Sequence, residues 1–590
     1  MRSKTPLLLA VATAATTALA GPNCPPLGPV YEKPINFNTS AAIQSAIANL
    51  TTTFYYWDQT NTSSIRANTT SYSIEVFSTN KDHPLIFSWH HTAASLAAAP
   101  ANASGVHRAG PDAVYRLGSL TKIFTMYTWL AQDGDARWNE PITKYVPELA
   151  AAAARAKTDP VANVDWDQVT IGSLAGQLSG AIRDYGLMGE MTQEFNQSEA
   201  VGMGFPPLST SDPMLPPCGQ WPQCNRTEFF NGLLRAPPSF APFTTPAYTN
   251  TGYQILAYAL EGIKGKSFET MMQESILRPL GLNHTYYRNA PPEEGIIPGT
   301  PVDAEWTYQL GDENPAGNMY SSIADISALG RSILSSTILS PALTRRWLKP
   351  ASMSSELIAG VGYPWGVRRV SIPYANGKRV VDAFNKAGRI GYYSSLLVLL
   401  PDYDAGLSIL IAGDNIPGNT NFNLADIVGA QIVPALEAAA REQAEAIFSG
   451  EYADEKGGSS LRLTTQADRP GLGVERWVSN GTYMQTIAVV MQGGYTPVAP
   501  SIRLYPTGLE TARAGAGGGR RVAFKAVFED LNLPARPDSM FSTDCGTWVS
   551  FTGVTYGTQP LDLFVFEVDA LGQVVSIENP ALRSVMKRKR

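Results

Sequence analysis

The 590-residue sequence predicts an α/β (α+β) protein of two folded domains behind a cleavable leader. Three observations predict it. The chain is longer than one ordinary hydrophobic core accommodates. Strand-like runs near residues 73–89 and 365–412 bracket a mainly helical stretch over 135–345. After a polar, Gly-rich segment at 450–460, short alternating runs continue to about 575, which reads as a second, mainly β domain. The predicted divisions are 1–20 (leader), 21–449 and 450–590. With 44% hydrophobic and 16% charged residues the chain is globular rather than disordered. A net charge of −6 argues against a nucleic-acid-binding surface.

The leader reads as a secretion signal. Arg2 and Lys4 precede an apolar run, Leu7 to Ala20, that ends on the small residues Ala18-Leu19-Ala20. That run is too short to cross a bilayer, so no stable membrane anchor is expected. Nine Asn-x-Ser/Thr sequons agree with export and predict surface positions: Asn38, Asn49, Asn61, Asn68, Asn102, Asn196, Asn225, Asn283 and Asn480. Four cysteines suit a secreted chain. Cys218 and Cys224 form a natural small disulfide loop, which leaves Cys24 for Cys545; other pairings remain open. The expected location is extracellular or the secretory lumen.

In chain order, Phe37 to Thr53 predicts a helix, and Ser73 to Phe77 with Leu85 to Trp89 predict paired strands. A small-residue loop (Ala93 to Gly110) leads to a helix from Ser119 to the Asp133-Gly134 stop. Trp138 to Leu149 and Val169 to Gly180 read as short helical pieces. The Pro-dense segment 206–246 reads as a lid or rim. Helices follow at Gly252 to Ile263, Phe268 to Leu277 and Ile323 to Ile333. Strands return at Trp365 to Ile372 and Arg379 to Phe384, joined by an Asn376-Gly377 hairpin turn. Further strands lie at Ser394 to Leu400 and Leu407 to Ala412, and a long helix at about Leu424 to Phe448 closes the domain. Beyond it, Arg521 to Phe528, Thr547 to Phe551 and Leu561 to Val568 read as strands, and Lys587 to Arg590 as a solvated tail.

The chemistry concentrates at Ser119-Leu120-Thr121-Lys122. Residues three apart share a helix face, so the Ser119 hydroxyl and the Lys122 amine would lie side by side at the start of a buried helix. A desolvated lysine loses basicity and can be neutral enough to take a proton from a hydroxyl. A second match, Ser78 to Lys81, falls in a polar turn. Tyr248-Thr249-Asn250, in a loop before a helix, can aim a phenol and an amide at one cleft; capping of that helix by Asn250 is the plainer alternative. Lys386-Ala387-Gly388-Arg389 opens an inner strand, with a fixed cation beside the cleft and small residues that let a substrate approach the backbone. Gln177-Leu178-Ser179-Gly180 reads as scaffold. The five histidines lack metal-site spacing, and Trp89-His90-His91 reads as a surface strand end. No cofactor is expected.

Taken in order, Ser119-x-x-Lys122, Tyr248-x-Asn250 and Lys386-x-Gly388 resemble the three motifs of the serine β-lactamase and penicillin-binding-protein superfamily, in its class C-related and fungal β-lactamase-like forms. Trp138 to Leu149, Arg278-Pro-Leu-Gly281, Pro315-Ala-Gly317 and Gly391 to Ser395 fit as well, so the resemblance spans about residues 70–430. It implies an antiparallel sheet flanked by helices, with an all-helical subdomain. It also implies acyl transfer through an ester on Ser119, with Lys122 or Tyr248 as general base. Asn250 would hold Lys122 and the substrate, and Lys386 would sustain a positive field. The backbone N–H groups of Ser119 and Arg389 would form an oxyanion hole. Two positions depart from the pattern: Ala387 replaces a hydroxyl residue, and Gln177 stands where many relatives have His. The implied function is a secreted serine hydrolase for an ester or amide of a small molecule, of the kind met in secondary metabolism. An acyltransferase using the same route and a non-catalytic binding protein are the alternatives.

Overall fold

A computed structural model of the chain describes residues 25–60, 65–375, 377–456, 458–494, 496–511, 518–533, 540 and 546–589. The leader, Cys24, Cys545, Asn61 and Asn376 lie outside the described residues, and with them the Cys24–Cys545 pairing and the tip of the predicted hairpin.

An eight-stranded sheet organises the first domain. Its six long strands are β1 (Thr70–Ser78), β2 (Leu85–His91), β3 (Gly366–Tyr374), β4 (Gly377–Ile390), β5 (Tyr393–Leu400) and β6 (Ala405–Gly413). They run in the order β2-β1-β6-β5-β4-β3, and two short strands, Ala359–Val361 and Ser352–Met353, extend the β3 edge. Every pairing is antiparallel. Alternate side chains enter different cores, as the two-residue period of a strand requires. On one face Tyr72, Ile74, Val76, Leu396, Ile409 and Ile411 pack with α1 (Ala41–Thr60) and the start of a long helix, Thr420–Phe448. On the other, Phe77, Leu397, Leu399 and Leu410 pack with the helical region. The central strands therefore carry apolar residues on both sides, and β1 is buried along its whole length.

In the helical region, α2 (Thr121–Asp133) is buried at every residue from Thr121 to Leu130. It is not a surface helix with one apolar stripe; it runs through the core. The Gly118–Leu120 turn that opens it is a single 3₁₀ turn. Close by lies α3 (Thr251–Lys264), buried from Thr251 to Leu260. The next long helix, α4 (Ile323–Leu334), lies against β1 and β6.

Thr420–Phe448 (α5) leaves the first domain and enters the second. Its residues Leu424 to Ala439 belong to the sheet core, whereas Ala440, Ala444 and Phe448 join the core beyond. That second core fills a closed barrel. Its eight strands are β7 (Gly450–Ala453), β8 (Ser460–Thr464), β9 (Leu472–Ser479), β10 (Pro500–Glu510), β11 (Arg520–Asp530), β12 (Leu563–Val568), β13 (Val574–Asn579) and β14 (Ser584–Arg588). Order β8-β7-β14-β13-β12-β11-β10-β9 closes through a β8–β9 pairing. Closure removes exposed edges. Two expectations fail here. Thr547 to Phe551 is not a strand: Thr547–Ser550 forms a helical turn. Lys587 and Arg588 are not a free tail: they sit in β14, where Arg588 donates to the carbonyls of Ile447 (3.0 Å) and Ser449 (2.7 Å). Ser584 and Met586 are buried while Val585 and Lys587 are exposed, a strand alternation that the run of positive charge obscures.

Cys218 and Cys224 are bonded, in a Pro-rich segment that lies along the rim of a cleft. Trp89-His90-His91 also departs from expectation. His91 is half-buried, 2.9 Å from Asp58 and stacked on Tyr72, so it ties α1 to the sheet. Among the described residues, no helix is long and apolar enough to cross a membrane.

Candidate active site

A cleft of about 670 Å³ opens where the helical region meets the C-terminal end of β4. Ser119, Tyr248, Asn250, Lys386, Gly388 and Arg389 all line it. These groups come from three separate stretches of chain, and the reason they meet begins with backbone.

Gly118 has a left-handed backbone (φ +54°), and a Cβ there would fall 2.5 Å from the Arg389 nitrogen. A Cβ on Gly388 would in turn collide with the Leu117 carbonyl and lie 2.8 Å from the Ser119 nitrogen. The two glycines let strand and nucleophile turn pack backbone to backbone. This revises the expected reason for Gly388: the neighbour that needs the space is the Ser119 turn itself, not a substrate. Ser395 Oγ donates to the Leu117 carbonyl (2.6 Å) and pins the same contact from β5.

Within it, Tyr248 Oη donates to Ser119 Oγ at 2.7 Å, and Lys122 Nζ lies 3.2 Å from the same oxygen. Lys122 also donates to Asn250 Oδ1 (2.5 Å) and to the Ala316 carbonyl (2.6 Å). All three acceptors are uncharged. Burial of the amine pushes its pKa down from 10.5 to about 7; Glu313 and Asp184 oppose that shift and Arg183 adds to it. An ammonium whose hydrogen bonds end only on neutral dipoles has lost water without a directly bonded counter-ion, so the uncharged amine gains relative weight. Asn250 stands at the start of α3 yet makes no side-chain cap bond. Its amide spans the site instead, with Nδ2 donating to Asp184 Oδ1 at 2.7 Å. The capping alternative is thereby set aside.

The phenol ring of Tyr248 is surrounded by basic side chains. Lys122 Nζ, Arg183 Cζ and Lys386 Nζ lie 4.9, 5.3 and 5.4 Å from its centre. Lys386 is buried, and burial pushes it down to about 8, with Tyr248 opposing and Lys122 adding to the shift. Its amine donates to the Ala387 carbonyl (2.5 Å).

Several contributors carry no sequence signal. Asp184 and Glu313 follow no recognisable spacing. Ala316 acts through its carbonyl, which no side-chain pattern can mark. Gln177, read as scaffold, acts on the loop that carries Tyr248. Its Oε1 accepts from the Thr249 nitrogen (2.6 Å), its own carbonyl accepts from Ala247 (2.8 Å), and its φ is +62°. It therefore holds the Tyr248 loop at both ends. The Ser78–Lys81 match plays no part: Ser78 Oγ donates to the His83 carbonyl in an exposed turn.

Residues 79–428 match the family model described as Beta-lactamase. The chain belongs to the beta-lactamase family. Residues 440–590 match a second model, described as "Beta-lactamase-like-like, C-terminal domain". Among curated relatives of this beta-lactamase family chain, a beta-lactamase-like protein of Arthroderma benhamiae is 29% identical over 99% of both chains. A probable hydrolase of Phoma sp. is 27% identical over 86% of this chain and 82% of its own. The Escherichia coli beta-lactamase is 22% identical over 52% and 76%. Among solved structures, a class C beta-lactamase aligns with TM-score 0.43 at 14% identity, covering 66% of this chain and 96% of that one. The relatives' family is that of serine hydrolases, and the Ser119 cleft of this beta-lactamase-family chain lies inside the matched region.

Proposed function

We propose that the chain is a secreted serine hydrolase that cleaves an ester or amide of a small molecule, of the secondary-metabolite type, through a covalent ester on Ser119. One observation carries the reading: a single hydroxyl lies within hydrogen-bonding distance of both a phenol and a buried amine whose basicity burial lowers. The Ser119 oxygen attacks the substrate carbonyl carbon. Its proton passes to Lys122, or to Tyr248 and onward, and the same group then protonates the leaving alcohol or amine. Water repeats the sequence on the acyl-enzyme. Backbone N–H groups of Ser119 and Arg389 would hold the oxyanion, at about 3 kcal/mol per donor. Lys386 and Arg183 favour a substrate with a negative or strongly polar group. Ala387 offers no hydroxyl to a substrate carboxylate, which argues against efficient antibiotic hydrolysis.

No residue beyond Phe422 is among those described as lining the cleft. A scaffold role for the barrel is therefore favoured over a lid. Secretion is supported by the leader and by the sequons: all eight that are described have an exposed asparagine. The test is covalent labelling with a fluorophosphonate. The wild type should be labelled on Ser119, and Ser119→Ala should not. Equal labelling of both, or of neither, would remove the reading. Product analysis with and without an added alcohol separates hydrolysis from transfer. Expression in a secreting host should give a mature chain beginning near Gly21 whose mass falls on glycosidase treatment; an intact leader would count against export.

A further inference from the structure

Behind Asn250 lies a pair of carboxyl groups that the acyl-transfer scheme does not use. Asp184 accepts from Asn250 through Oδ1, and its Oδ2 lies 3.2 Å from Arg183 Nε. Glu313, only 5% exposed, sits on the 3₁₀ turn just before the Ala316 carbonyl that receives Lys122. Its carboxyl is in side-chain hydrogen-bonding contact with Asp184 and in the field of Lys122. Two carboxyl oxygens in such contact need a proton between them.

We propose that Glu313 is a positioning residue: it carries the proton of a carboxyl pair with Asp184, so the pair presents one negative charge, not two, to Lys122, and holds Asn250 aligned on the amine. This rests on the acyl-enzyme reading of Ser119. The charge count decides whether the amine can act. A second carboxylate in the pair would pull Lys122 back toward its ammonium form, by about 1–3 pH units for a close opposite charge. With Glu313 protonated, its O–H donates to Asp184, Asp184 accepts from Asn250 Nδ2, and the Asn250 carbonyl accepts from Lys122. Each member fixes the next, as an oriented hydrogen-bond chain does. The buried setting and the charge of Asp184 both push Glu313 well above the usual carboxylate range, with Lys122 opposing. The other charged or titratable groups facing this cluster are Arg183, Tyr248, Tyr253 and Lys386 around Lys122, and Tyr308 beside Glu313.

The experiment reads the protonation midpoint of Lys122 in two ways. The first is the pH dependence of Ser119 acylation by a fluorophosphonate. The second is carbon-13 NMR of labelled lysine in a Ser119→Ala background, which needs no catalysis. Glu313→Gln keeps a hydrogen-bond donor and stays uncharged, so the midpoint should stay within about 0.3 pH units of the parent, and most of the acylation rate should remain. Glu313→Ala should lose roughly tenfold to a hundredfold in acylation with the midpoint little moved, and the Gln variant should rescue it. Asp184→Asn removes the one charge and should move the midpoint to lower pH by about one unit or more. If Glu313→Gln itself moves the midpoint down by about a unit, Glu313 is ionised in the native protein and the proposal is wrong. Equal rates for Glu313→Ala and wild type would overturn the positioning role. If the wild type takes no label at all, the acyl-enzyme reading fails, while the NMR midpoints still decide the charge of the pair.

Discussion

Two buried cations in this chain have opposite fates. Arg379 on β4 is 1% exposed at its side chain and sits between two carboxylates, Asp402 at 2.9 Å and Glu437 at 3.2 Å. Tyr403 and the Gly28 carbonyl complete its contacts, at 3.1 and 2.8 Å. Its neighbours raise its pKa despite burial. Lys122 is as deeply buried, but its hydrogen bonds end on an amide, a carbonyl and a hydroxyl. The first cluster ties the N-terminal segment, the sheet and α5 together. The second leaves an amine short of counter-charge beside a nucleophile. What separates scaffold from chemistry here is whether a desolvated cation is given an anion.

The contrast predicts opposite consequences. Lys122→Ala should lower the rate of Ser119 acylation by roughly a thousandfold, within the range expected of a general base, about 10²–10⁴. The variant should remain folded. Acylation at near wild-type rate would show that the proton leaves by another route. Arg379→Ala should do the reverse. It strands two buried carboxylates and should cost about 3–5 kcal/mol of stability, with acylation per folded molecule retained. Urea melts read the first quantity, and labelling normalised to folded protein reads the second. If both variants damage rate and stability alike, the division between the two clusters does not hold.

Much of this was legible in the sequence, for reasons that also explain what was not. Ser119, Lys122, Tyr248, Asn250 and Lys386 announce themselves because side-chain chemistry at short spacing leaves a pattern. The strands β5 and β6 are legible from uninterrupted apolar runs bounded by turns. The Ala316 carbonyl, the Asp184–Glu313 pair and the hold of Gln177 on the Tyr248 loop arise from tertiary approach, which no local pattern encodes. The same holds for Gly388, whose small size was legible but whose neighbour was not. In the barrel, the C-terminal basic run hid a strand because consecutive charges from Lys587 onward resemble a tail, and the inward-facing positions before them are only Ser584 and Met586.

A finer comparison comes from pH. For Lys122 the folded-state pKa of about 7 lies below the usual 10.5, so between those values the unfolded chain binds the proton and the folded chain does not. Stability then rises with pH across that window, by at most about 1.4 kcal/mol per pH unit from this residue. Below about pH 7 both states hold the proton, the penalty is complete and the slope vanishes. Other groups titrate in the same range, Lys386 among them, so the quantity to measure is the difference between wild type and Lys122→Met. That difference should grow in favour of wild type from pH 7 upward. A flat difference would mean that the folded amine keeps its charge, and with it the general-base role would go.

The smallest expected effect concerns Ala387. It lines the cleft one residue beyond Lys386, at the position that lacks a hydroxyl. Ala387→Thr adds one hydrogen-bonding group to a site that already has Arg183 and Lys386 near Tyr248. One added hydrogen bond contributes about 1 kcal/mol, so carboxylate-bearing substrates should gain less than tenfold in acylation efficiency. Uncharged esters should not gain. The discriminating measurement is the ratio of kcat/KM for a matched pair of esters, with and without a carboxylate. An equal change for both would place the effect in packing between β4 and the Ser119 turn. A rise confined to the anionic ester would show that the field of Lys386 and Arg183 selects charge and that a hydroxyl only refines it.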